Sequence, residues 1–130
     1  MKFIISIFLV IASSLVTASQ SLAQEKFTVV STVGMIGERA KKITLMGSGI
    51  DPHLYKPTRT DIQKLLTSDV IFYNGLLLEG KMTDSLIRAA TGGKKVFPVT
   101  ELLDEKFLLE PSEFQGHYDP HVWMDPKAWA

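Results

Sequence analysis

Apolar positions along the chain fall into short runs whose period alternates between strand-like and helix-like. Phe27-Thr28-Val29-Val30-Ser31-Thr32 is dense in β-branched residues and predicts a buried strand. From Met35 to Ile43, Ile36, Ala40 and Ile43 recur at helical spacing among Glu38, Arg39, Lys41 and Lys42, predicting a helix. Leu45-Met46-Gly47-Ser48-Gly49 reads as a Gly-rich turn. A stiff loop follows through Asp51-Pro52-His53 and Lys56-Pro57, because each proline fixes its own φ and restricts its predecessor. Thr58-Arg59-Thr60-Asp61 has the capping pattern that opens a helix, with Ile62, Leu65 and Leu66 as its apolar face.

The alternation continues. Asp69-Val70-Ile71-Phe72-Tyr73 predicts a second strand, stopped by Asn74-Gly75. Leu78 to Thr91 predicts an amphipathic helix on Met82, Leu86, Ile87 and Ala90, ended by Gly92-Gly93. Lys95-Val96-Phe97-Pro98-Val99 predicts a third strand, which Pro98 places at an end or an edge. Residues 100–116 are irregular, with Leu102, Leu103, Phe107, Leu108 and Leu109 expected to pack. Asp125-Pro126 reads as the N-cap and first residue of another helix. Strands separated by helices predict an α/β fold with a parallel β-sheet flanked by helices, and ligands in such sheets bind beyond the carboxyl ends of the strands.

Composition narrows the function. The 130 residues hold 14 Lys plus Arg, 14 Asp plus Glu and no cysteine. Balanced charge gives no footprint for nucleic acid, and the absence of cysteine excludes thiolate chemistry, disulfides and a lipid on Cys within this sequence. Residues 1–23 run from Lys2 through the apolar stretch Phe3–Val16 to Ser21-Leu22-Ala23, the layout of a cleaved secretory signal peptide. The mature chain is therefore expected to be free in an extracytoplasmic space; a monomer is expected as well.

One tripeptide occurs twice, as Asp51-Pro52-His53 and Asp119-Pro120-His121, and it carries two of the three histidines. Neutral imidazole is a common ligand for transition metals, a rigid proline limits where the side chain points, and the preceding aspartate can orient it. His117 stands four residues before His121, but Gly116 and Pro120 argue against a shared helix, so it reads as a solvated loop residue. Glu79 reads as a first-turn helix acid without a binding role, Trp123 as a packing residue able to shield the site, and Tyr55 and Tyr73 as core or pocket-wall residues.

The run Gly49-Ile50-Asp51-Pro52-His53-Leu54-Tyr55-Lys56-Pro57-Thr58, the segments Asp69–Gly75 and Leu78-Glu79-Gly80, and Tyr118-Asp119-Pro120-His121-Val122-Trp123-Met124-Asp125-Pro126 together resemble one family. It is the zinc- or manganese-binding solute-binding proteins of metal-uptake ABC transporters. The resemblance implies capture of Zn2+ or Mn2+ between two α/β lobes, delivery to a membrane permease, and no enzymatic activity. It makes His53 and His121 two of four expected metal ligands. It assigns residues 24–124 to the N-terminal lobe and 125–130 to the start of the inter-lobe helix, with the second lobe and its ligands outside the sequence. It also marks the segment near Ile43 as shortened, without the family's second strand.

Two other readings stand beside this one. A truncated remnant would neither bind nor transport. A metal-dependent hydrolase would use an open two-histidine zinc site, although no general base is evident near either histidine.

Overall fold

The computed structural model describes residues 27–40 and 43–129, with the side chains of 38–40 and 129 left aside. The expected signal peptide lies outside the described residues. Four parallel strands form one sheet: β1 (Val29–Val33), β2 (Ile43–Met46), β3 (Val70–Tyr73) and β4 (Lys95–Pro98), in the spatial order β2-β1-β3-β4. The connections are α1 (Gly34–Ala40), α2 (Arg59–Thr67) and α3 (Thr83–Thr91), and a last helix, α4 (Pro126–Trp129), follows the loops beyond β4. This is the expected parallel α/β layout. No described helix is long and apolar enough to cross a membrane.

Strand β1 lies between β2 and β3 and is buried along its whole length, as its β-branched sequence demands. The core gathers Val30, Val33, Ile36, Met46, Leu65, Ile71, Leu78, Met82, Leu86 and Ala89. Gly37 lets α1 lie flat on the sheet, since a Cβ there would sit 1.8 Å from Thr44 Oγ1 and 2.7 Å from Ser31 Oγ.

Several expectations are corrected. The segment near Ile43 is not a direct run from helix into turn: Ile43–Met46 forms β2, paired in parallel with β1 through Val30–Ile43, Ser31–Thr44 and Val33–Met46. Ile43 stands at helical spacing from Ile36 and Ala40, yet the helix ends at Ala40 and Ile43 opens a strand. The helix expected from Leu78 begins instead as a turn and a 3-10 segment, Gly80–Met82, and becomes α-helical at Thr83. Its buried face uses Ala89, while Ile87 and Ala90 face solvent. Leu102 and Leu109 are exposed rather than packed.

The capping box that opens α2 forms as read. Thr58 Oγ1 accepts from Asp61 N, and Asp61 Oδ2 accepts from Thr58 N and from the hydroxyls of Thr58 and Tyr55. Burial works to raise the Asp61 pKa, but these hydrogen bonds outweigh it and hold the carboxyl below its usual value. A group whose pKa falls on folding stabilises the fold above its unfolded value, about 3.9, and loses that contribution as pH falls through the lower folded value. Asp61→Ala should therefore cost about 2 kcal/mol in urea unfolding at pH 7. Its difference from the parent chain should shrink as the pH is taken toward 2; an undiminished difference in acid would contradict the assignment.

Candidate metal centre

A β2-β1-β3-β4 sheet changes winding direction between β1 and β3, which opens a crevice at the carboxyl ends of those two strands. The loop after β2 carries His53 to this end of the sheet, and the loops after β4 carry His121 there. The two imidazoles meet with Nε2 to Nε2 at 3.5 Å and ring centroids 5.4 Å apart. They line a cavity of about 310 Å3 whose wall includes Val33, Met46, Gly47 and Trp123, at the ends of β1 and β2.

Both Asp-Pro-His copies use the same local device. Asp51 Oδ1 accepts from His53 N, and Asp119 Oδ1 accepts from His121 N, each at 2.9 Å. Each aspartate thus closes a short turn around its proline and presents the histidine. The second copy goes further, because the His121 ring Nδ1 also meets Asp119 Oδ1, at 2.5 Å. With Nδ1 donating to the carboxylate, a neutral His121 ring presents its Nε2 lone pair toward His53 Nε2. The His121 backbone N–H holds the Asp119 carboxyl below its usual range; burial opposes this and the His121 ring adds to it. Trp123 and the His121 ring meet in a T-shaped contact, with centroids 5.2 Å apart.

A pair of nitrogens so placed can chelate. A tetrahedral metal about 2.05 Å from each nitrogen requires them to be about 3.4 Å apart. No group of three or more His, Cys, Asp or Glu side chains among the described residues is arranged to hold a metal ion, so the pair alone is an incomplete shell for zinc. His117 is exposed, as read, and lines a separate pocket on the flank of His53 with Leu76, Leu77 and Phe114. Tyr55, Tyr73 and Trp123 pack against the core, and Asp125 accepts from Lys127 N at the start of α4.

Glu79 corrects the sequence reading. It is 2% exposed, and its side chain spans the crevice between β1 and β3. Oε1 accepts from Thr32 Oγ1 and Asn74 N, both at 2.6 Å, and Oε2 accepts from Gly75 N at 3.2 Å. These bonds hold a turn in which Gly75, Leu76 and Leu77 all have positive φ. Asn74 in turn donates Nδ2 to the carbonyl of Pro120, beside His121. The signal for Glu79 was present only as the segment Asn74-Gly75 ahead of an acid; nothing local told a buried acid from a solvated one.

The chain matches the family described as "Zinc-uptake complex component A periplasmic" over residues 22–130. It is 39% identical over 123 residues to the zinc-binding protein TroA of Treponema pallidum, covering 87% of this chain and 38% of that protein. It is 36% identical over 115 residues to the manganese-binding lipoprotein MntA of Bacillus subtilis, covering 82% of this chain and 37% of that one. The solved structure of the periplasmic zinc-binding protein TroA superposes with a TM-score of 0.72 at 39% identity, covering 80% of this chain and 39% of that one. The chain thus spans about two fifths of the length of these relatives, and its sheet is one lobe of their fold.

Glu79→Gln would place an NH2 group against at least one backbone N–H that now has an acceptor. We expect a loss of about 1–3 kcal/mol in urea unfolding. An unchanged midpoint would show that the three hydrogen bonds contribute nothing net.

Proposed function

The chain belongs to the zinc-uptake complex component A family of periplasmic proteins, and from that premise we propose that it captures a divalent transition metal outside the cytoplasm for an ABC transporter permease. His53 and His121 are the proposed ligands, and the metal is cargo. The observation that carries the reading is the pair of Nε2 atoms facing each other at 3.5 Å in the cavity beside the carboxyl ends of β1 and β2. The names of TroA and MntA, a zinc-binding and a manganese-binding protein, support the cargo class. The Asp119 carboxylate against His121 Nδ1 supports a site in which Nε2 is the nitrogen offered to a metal.

Within the proposal, residues 24–124 form the metal-presenting lobe, residues 1–23 direct export, and residues 125–130 lead toward a second lobe that completes the ligand set. Imidazole donors favour zinc over manganese by the general order of affinities, so the present pair leans to zinc and any oxygen ligands from elsewhere would shift the balance. A binding role suits the site better than hydrolysis, because the acids nearest the pair are engaged: Asp119 on His121, and Asp51 on the His53 backbone.

Isothermal titration of the chain with Zn2+ and Mn2+ should show the tighter binding for Zn2+. His53→Ala combined with His121→Ala should abolish the heat. Binding that survives the double substitution unchanged would sink the proposal. Protons compete with the metal for imidazole nitrogen, so Zn2+ affinity should fall steadily from pH 7.5 to about 5. A flat affinity across that range, measured by competition with a chromophoric chelator, would contradict a two-imidazole site.

A further inference from the structure

We infer that Asn74 is a positioning residue for metal capture: its side-chain amide, clamped at the carboxyl end of β3, fixes the loop that presents His121. The inference rests on the proposed function and deepens it, since His121 must be a ligand for its position to matter.

Asn74 is 1% exposed. Its amide can be oriented from chemistry alone. Nδ2 lies 3.0 Å from Gly75 O and 3.0 Å from Pro120 O, and two carbonyl oxygens can be met only by the NH2 end of the group. The second of these contacts crosses 46 residues of sequence and ends on the residue immediately before His121. The other end, Oδ1, is buried with no hydrogen-bond partner among the described residues. An asparagine that served only to fill space would not keep a buried carbonyl without a partner. Its orientation is set by the two acceptors, one of them the Pro120 carbonyl.

Asn74 cannot drift to a new position. Its N–H is held by Glu79 Oε1, and its carbonyl accepts from Thr100 Oγ1 at 2.6 Å and from Thr100 N at 3.2 Å. The main chain at residue 74 is thus tied on both sides to the ends of the sheet, and the side chain hands that rigidity to Pro120. From the other side Asp119 sets the rotation of the His121 ring. Asn74 sets where the backbone of that ring stands, and Asp119 sets which nitrogen it offers. His53, whose loop is exposed, lies outside this network except through its contact with the His121 ring.

The test is Asn74→Asp in the full chain. It keeps the side-chain shape and puts an oxygen where an N–H now meets Pro120 O. Zn2+ affinity should fall roughly 10-fold, the scale for partners that orient a ligand. The imidazole 15N signals of His121 should move while the β1 and β3 amides keep their shifts. In a His121→Ala background the same substitution should change affinity less than about twofold, because Asn74 acts through His121. Unchanged affinity in Asn74→Asp while His121→Ala binds more weakly would overturn the positioning role alone. So would an equal loss with and without His121, which is the mark of a merely structural residue. If His121→Ala binds Zn2+ as tightly as the parent, the metal reading fails and takes the inference with it. Should Asn74→Asp fail to fold, the parent chain decides. The Asn74 side-chain amide signals must shift during Zn2+ titration in step with the His121 ring, and their failure to move would overturn the proposal.

Discussion

The side chain of Glu79 is the constraint on which the rest of the site depends. A sheet that reverses its winding leaves a gap between two neighbouring strands at their carboxyl ends, and something must tie the gap together without filling it. Here one carboxyl group bonds Thr32 at the end of β1 and the backbone amides of Asn74 and Gly75 at the end of β3. The turn it stabilises contains two non-glycine residues with positive φ, Leu76 and Leu77, a conformation the chain adopts only when its surroundings enforce it. Gly75 tolerates φ +89, and a Cβ at that position would meet Thr100 Oγ1 at 2.7 Å. The crevice is therefore shaped by a buried acid, a glycine and a strained turn acting together.

The two Asp-Pro-His copies are identical in sequence and unequal in setting. His53 hangs on a loop stiffened by Pro52 and Pro57 but open to solvent. His121 is gripped at its ring by Asp119, packed in a T-shaped contact with Trp123, and followed by a 3-10 turn, Val122–Met124, whose Met124 N–H returns to His121 O. One imidazole is fixed and the other approaches it. Such a division would suit the proposed capture of a metal ion, since affinity depends on how little has to be ordered on binding.

Much of this was legible from residues alone, for reasons that can be named. β1 announced itself through Val29 and Val30 beside Ser31 and Thr32, and Pro98 marked β4 as an edge or end strand. The capping box at Thr58 and Asp61 is a local signal read over four residues. The repeated Asp-Pro-His picked out the two histidines that the fold brings together. What escaped was decided by distance or by coincidence. Ile43 sits where a helix would want its next apolar residue, so periodicity favoured the wrong element until pairing with β1 resolved it. Glu79 read as a first-turn helix acid because the helix dipole favours acids there, and only tertiary contacts show that its carboxyl is buried. The hydrogen bond from Asn74 to Pro120 joins segments with no sequence relation, and no local rule could have found it. Leu102 and Leu109 carry the opposite lesson, since apolar character did not bring them inside.

Pro98 has one more effect. Neighbouring residues of a strand point their N–H groups to opposite sides, and Val99 N–H turns inward to Tyr73 O. The nitrogen of Pro98 therefore faces away from β3, toward the side of β4 that pairs with no strand among the described residues, where it has no hydrogen to offer. A foreign strand arriving along that side would meet a missing rung just where the chain leaves the sheet for the loops that carry His121. A proline on that side works against lengthening of the sheet by another polypeptide.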